Sequence, residues 1–140
     1  MKTIRKCTLV LLALLLTLSL VACADVEKTG VWEQATYVSD KTFGSGEKTV
    51  AVEVKAEDQS VTLTLKTDAE TLGEALKEHD LIAGEEGPYG LYVKTVNGIL
   101  ADFEDGGWWW SLTKNGEAMM VGVDGAAIAD GEHYELTRTK

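Results

Sequence analysis

Trp108-Trp109-Trp110 is the most unusual run of side chains in this sequence. An indole offers a large flat apolar surface with one N–H donor, which suits a macrocycle, a sugar ring or a partner chain. In a strand, Trp108 and Trp110 point to one face and Trp109 to the other. One indole is therefore left outside the main core, unless the segment around Trp32 docks over it. Tyr89 and Tyr92 would extend such an aromatic surface, with core or turn packing as the alternative for each. His79 and His133 are the only histidines. They lie far apart and show no HExxH or cysteine spacing, so a helix-end His79 and a strand-surface His133 are expected rather than metal ligands. Asp102, Glu104 and Asp105, followed by Gly106-Gly107, do not match the twelve-residue calcium loop and read as a solvated turn. There is no G-x-S-x-G, phosphate loop or dinucleotide fingerprint. No catalytic machinery is expected, and no metal or cofactor.

Cys23 stands in a different context. It closes Leu20-Val21-Ala22-Cys23, behind a positive stretch with Lys2, Arg5 and Lys6 and an apolar run from Leu9 to Ala22. That run is shorter than the about 20 residues a spanning helix needs. A charged start, a short apolar core and a small residue before the cut describe a secretory signal over residues 1–22. The tetrapeptide resembles the lipobox of bacterial lipoproteins, in which the cysteine is lipidated and becomes the new N-terminus. Each buried lipid methylene contributes about 0.8 kcal/mol, so two or more long chains anchor a protein stably. The resemblance implies lipid attachment at Cys23 and a domain held on the extracytoplasmic face of a cell membrane. Cys7 leaves with the signal, so no disulfide and no cysteine nucleophile is expected in the mature domain.

Cleavage before Cys23 removes three of the thirteen Lys/Arg and no acidic residue, leaving ten against twenty-three Asp/Glu and a formal charge of −13. Such a surface repels nucleic acid and anionic headgroups, which excludes nucleic acid as a partner. About 115 residues remain, enough for one domain with a modest core.

The elements that must position these residues follow from periodicity. Residues 23–46 read as a lipid-anchored tether and lead-in, and residues 47–140 as the domain. Val50, Val52 and Val54 alternate with Ala51, Glu53 and Lys55, and Val61, Leu63 and Leu65 alternate likewise, which predicts a hairpin across 56–59. Thr71 with Glu74 forms a capping box for a helix ending near His79-Asp80. Residues 83–88 read as a loop. Further strands are expected over 91–96, 108–113, 117–121 and 133–138, with Asn115-Gly116 as a type I′ hairpin turn. The expected class is α+β, a small β-rich domain with one helix packed on antiparallel hairpins.

The segment Tyr89-Gly90-Leu91-Tyr92-Val93-Lys94-Thr95-Val96-Asn97-Gly98 resembles the transcobalamin-like C-terminal domain family. So do Trp109-Trp110, Asn115-Gly116-Glu117, Met120-Val121-Gly122-Val123-Asp124 and Asp130-Gly131-Glu132-His133-Tyr134. The stretches 31–37 and 67–76 resemble bacterial members as well. One departure is that members usually carry a tyrosine before the tryptophan and aromatics after it, where this chain has Trp108 and then Ser111-Leu112. The resemblance implies a β-grasp-like domain that binds ligand without catalysis. A corrinoid is the implied ligand, and a vitamin importer the implied partner. Trp108, Trp109, Trp110, Tyr89 and Tyr92 are the candidate contacts. A cell-envelope interaction or adhesion module, binding a protein or wall polymer, is the alternative expectation.

Overall fold

The hairpin predicted by the alternating valines and leucines is the centre of the molecule. The computed structural model describes residues 25–140; the expected signal over 1–22 and Cys23 lie outside the described residues. Strands β2 (Lys48–Ala56) and β3 (Gln59–Thr67) pair antiparallel, with Val50 opposite Leu65, Val52 opposite Leu63 and Val54 opposite Val61. All six of these side chains are buried. β1 (Lys41–Gly44) adds to β3 in parallel, and β9 (His133–Thr139) adds to β2 in parallel. β7 (Trp109–Lys114) and the short β8 (Glu117–Ala118) continue antiparallel, giving a six-stranded mixed sheet in the order β1-β3-β2-β9-β7-β8. A second, antiparallel sheet of β4 (Ile82–Gly87), β5 (Gly90–Val96) and β6 (Ile99–Leu100) packs Ile82, Val96 and Ile99 into the same core.

The expected α+β, β-grasp-like arrangement of one helix packed on antiparallel hairpins is not what forms. The chain is mostly β. Its helix α1 (Leu72–Lys77) has six residues, less than two turns. The predicted start is present, with the Glu74 N–H donating to Thr71 Oγ1 at 3.3 Å. What ends the helix early is Asp80, which takes a left-handed φ of 54°, after which Leu81 and Ile82 drop into the core. Most of the segment read as a loop is β4, and two of the pairings in the large sheet are parallel instead of hairpins.

The lead-in is built into the domain. Trp32 sits in a 3-10 turn (Gly30–Gln34) with no exposed surface, and its Nε1 donates to Ala56 O at 2.9 Å. Asn97 ties the following residues down. Its Oδ1 accepts from Tyr37 N (2.9 Å) and its Nδ2 donates to Tyr37 O (2.8 Å), while its backbone O accepts from Thr36 N and its backbone N donates to Leu81 O. Asn97 also carries a φ of 52°, which asparagine tolerates better than other residues with a Cβ. One buried side chain thus supplies the turn geometry and both bonds across to the lead-in. Asn97→Ala is expected to lower unfolding free energy by about 2–3 kcal/mol, because it strands two backbone groups and strains the turn. Urea denaturation measures this, and a loss within error of zero contradicts the role.

Candidate functional site

Alternation along β7 sends Trp110 and Leu112 inward, with Leu112 opposite Leu136 of β9. Trp110 is 7% exposed and its Nε1 donates to Lys94 O on β5 at 3.1 Å, which fixes the indole across the gap between the two sheets. The gap is not filled. A hollow of about 120 Å³ remains, walled by Leu91 and Val93 of β5, by Trp110, Leu112 and Leu136, and by Gly122-Val123. It adjoins a wider hollow of about 350 Å³ formed by residues 87–92 and Gly122, and the two share Leu91, Tyr92 and Gly122. Tyr89 (94% exposed) and Tyr92 line this mouth, and the exposed Met120 and Val121 directly precede Gly122 in the chain. Gly122 has an ordinary φ of −77°, and a Cβ there would meet nothing within 4 Å. Two larger surface hollows lie elsewhere, at Ser39, Asp40, Ser60 and Thr62 and at the Lys114–Met119 hairpin. Val26, Val38 and Val61 give the first a mostly apolar wall, but neither is lined by an aromatic side chain, which makes them poorer sites for a flat ligand.

Asp124 shapes the cleft from behind. It lies in a 3-10 turn (Val123–Gly125), where its Oδ2 accepts from Leu91 N at 2.8 Å and its carboxylate pairs with Lys77 Nζ at 3.1 and 3.2 Å. Gly73 and Gly90 close on it: a Cβ at Gly73 would stand 2.0 Å from Oδ1, and one at Gly90 would stand 2.8 Å from Oδ2. The Leu91 N–H is the main reason the carboxyl titrates below its ordinary 3.8, with Lys77 adding to this and burial opposing it. The residues before and after the cleft mouth are therefore held by one carboxylate reaching from the Val123–Gly125 turn to α1 and β5.

The five candidate aromatics do not form one surface. Tyr89 and Tyr92 stand at the mouth with Trp110 on the floor. Trp109 points to the outer face of the six-stranded sheet and is 40% exposed. Trp108 precedes β7 and is half-buried. Its ring is 4.0 Å from the Arg138 guanidinium and 5.4 Å from Lys140 Nζ. His79 packs on Phe43 with ring centroids 5.2 Å apart, and His133 Nε2 lies 3.5 Å from Glu53. In the acidic turn, Asp102 Oδ1 accepts from Glu104 N. Among the described residues, no three His, Cys, Asp or Glu side chains converge as a metal would need.

Gly122 and Leu91 complete the mouth, with Met120 and Val121 directly before Gly122 in the chain, and none was a candidate on sequence grounds. Residues 117–121 read as a strand, whereas β8 stops at Ala118 and the apolar residues after it leave the sheet. The available signal was Met120-Val121 next to Gly122, an apolar pair beside a residue without a side chain.

The lowered pKa of Asp124 makes its contribution pH-dependent in a definite sense. A carboxyl whose folded pKa is depressed stabilises fully above the unfolded value and loses that stabilisation as pH falls through the folded one. Asp124→Asn is expected to be less stable than the wild type at pH 7. The difference should shrink as pH drops below 3.8. Thermal melts of both proteins across this range test it; a constant difference contradicts the role given to the carboxylate.

A family model described as a domain of unknown function (DUF4430) matches residues 69–138, half of the chain. A solved structure from Ruminococcus gnavus ATCC 29149, provisionally named a metal binding protein, is 37% identical with a TM-score of 0.63, and the match covers 67% of this chain and 98% of that one. Haptocorrin in complex with Cbi aligns at a TM-score of 0.56 and 20% identity over 70% of this chain, which spans only 26% of haptocorrin. That likeness shows a shared, transcobalamin-like fold. No functionally curated protein matches. The chain belongs to the DUF4430 family.

Proposed function

We propose that the protein is a non-enzymatic binding module, held by lipid on Cys23 at the extracytoplasmic face of a membrane, that receives a flat macrocyclic small molecule at the Tyr89–Tyr92–Gly122 mouth. The observation that carries this reading is that the exposed aromatics Tyr89 and Tyr92 line a hollow that meets, at Leu91, Tyr92 and Gly122, a second hollow walled by Trp110. With Met120 and Val121, which directly precede Gly122 in the chain, the two tyrosines make four of the seven large apolar side chains exposed among the described residues. Flat π-faces and an apolar floor favour a macrocycle edge or face over a small polar metabolite. A corrinoid is the specific candidate, in keeping with haptocorrin, which shares the fold and is in complex with Cbi, a corrinoid.

The size of the site adds a condition. Hollows of about 120 and 350 Å³ cannot enclose a corrinoid, so this module would cover one side of it. A second protein, such as an importer subunit, would cover the other. The same exposed Tyr89 and Met120 support the second reading, in which the surface docks an envelope protein or wall polymer directly.

Soluble protein starting after Cys23, titrated calorimetrically with cobalamin and cobinamide, separates these readings. Saturable binding is expected, and it should be lost in Gly122→Phe. That variant fills the mouth from a backbone with ordinary φ and open space around it, so its melting temperature should stay near that of the wild type. Absence of binding by a folded wild type rejects the corrinoid and moves the site to the partner-docking reading.

A further inference from the structure

We propose that the end of the six-stranded sheet carrying Leu100, Phe103, Trp108 and Trp109 rests on the membrane that holds the anchor. The surface it takes is net-neutral, with zwitterionic headgroups. This inference rests on the reading of Cys23 as the lipid-bearing residue.

Strand directions place the aromatics and the chain entry at one end. β2 ends at Ala56, and β9 runs parallel to it with Lys55 opposite Thr137. β7 runs back with Trp109 opposite Thr139, level with the β2–β3 turn at Glu57-Asp58. Gln59, the first residue of β3, exchanges hydrogen bonds with Glu27: Glu27 N donates to Gln59 Oε1 (2.7 Å) and Gln59 Nε2 donates to Glu27 O (3.1 Å). Val26 N donates to Val38 O at 2.6 Å. The Trp32 turn and Leu100 close the same end, through Trp32 Nε1 to Ala56 O, Leu100 N to Gln34 Oε1 and Arg138 Nε to Leu100 O.

Little chain separates this end from a lipid on Cys23. Val26, the first of the described residues with a backbone hydrogen bond, is three positions on, a reach of at most about 11 Å. From β3 to β7 is three strand spacings, about 14 Å. A headgroup layer beneath the entry point thus extends naturally under the aromatics. Phe103 is 63% exposed, Leu100 44% and Trp109 40%, three of the seven large apolar side chains exposed among the described residues. Tryptophan suits the headgroup level, and the Arg138 guanidinium and Lys140 Nζ lie over the Trp108 ring at this end. Glu57, Asp58, Asp102, Glu104 and Asp105 occupy the same end and would repel anionic lipid. They would accept the ammonium of a zwitterionic headgroup, which also favours an indole face. β8 and the cleft mouth follow from the opposite end of β7, so this docking leaves the cleft open to the outside.

The full chain, expressed with its anchor and reconstituted in vesicles of brominated phosphatidylcholine, provides the test. Flotation is read first: protein that does not float rejects both the anchor and the docking. For protein that floats, brominated lipid should quench tryptophan emission. Phe103→Asp, a change at an exposed position, should float equally and lose the quenching, and so should the wild type on vesicles rich in phosphatidylglycerol. Floating wild type whose emission is untouched by brominated lipid overturns the docking and leaves the anchor standing. Equal quenching in Phe103→Asp, or stronger quenching on the anionic vesicles, also overturns it.

Discussion

A single mixed sheet with one apolar face must cover that face, and the rest of the molecule depends on how it does so with less than two turns of helix. The inward residues of β2, β3 and β9 are fully buried, and each valine or leucine contributes about 1.5–3 kcal/mol only while water is kept away. Three separate covers share the work. α1 supplies Leu72, Ala75 and Leu76; the small sheet supplies Ile82, Val96 and Ile99; the lead-in supplies Trp32 at the open end. None is large enough alone, which is why the lead-in belongs to the fold and why Asn97 is fully bonded between two of the covers.

The cleft is the place where covering is incomplete. β5 approaches β7 closely enough for Lys94 to bond the Trp110 indole, but towards Leu91 the sheets diverge, and Gly122 contributes no side chain to close the gap. Asp124 holds the gap at a set width by bonding Leu91 from one side and Lys77 from the other. An apolar hollow left open beside a part-exposed ion pair costs stability, and it is the sort of departure from close packing that binding sites show.

Local features were legible in the sequence and long-range ones were not. Val/Leu alternation gave away the β2–β3 hairpin. Asn115-Gly116 marked the β7–β8 turn, where the two residues take φ values of 51° and 83°, and Thr71 with Glu74 marked the helix start. β4 was missed because only Ile82 is buried; a strand of exposed Gly, Ala and Glu residues carries no period-two signal. The parallel pairings of β1 with β3 and β2 with β9 join segments with no local turn between them, so nothing in sequence spacing announces them. The same limit applied to the site. Residue type pointed to the aromatics, but which of them meet depended on where β7 begins and β8 ends. Starting at Trp109 and stopping at Ala118, these strands send Trp109 outward and leave Met120 and Val121 exposed outside the sheet, ahead of Gly122.

The central claim is that ligand enters between β5 and the Gly122 segment. Backbone amide shifts of labelled protein, recorded on titration with cobinamide, test it residue by residue. The account predicts changes concentrated at residues 89–93 and 120–124 and at the Trp110 indole N–H, with residues 38–40 and 60–62 unmoved. Shifts confined to the latter, or a spectrum that does not respond at saturating ligand, would contradict it.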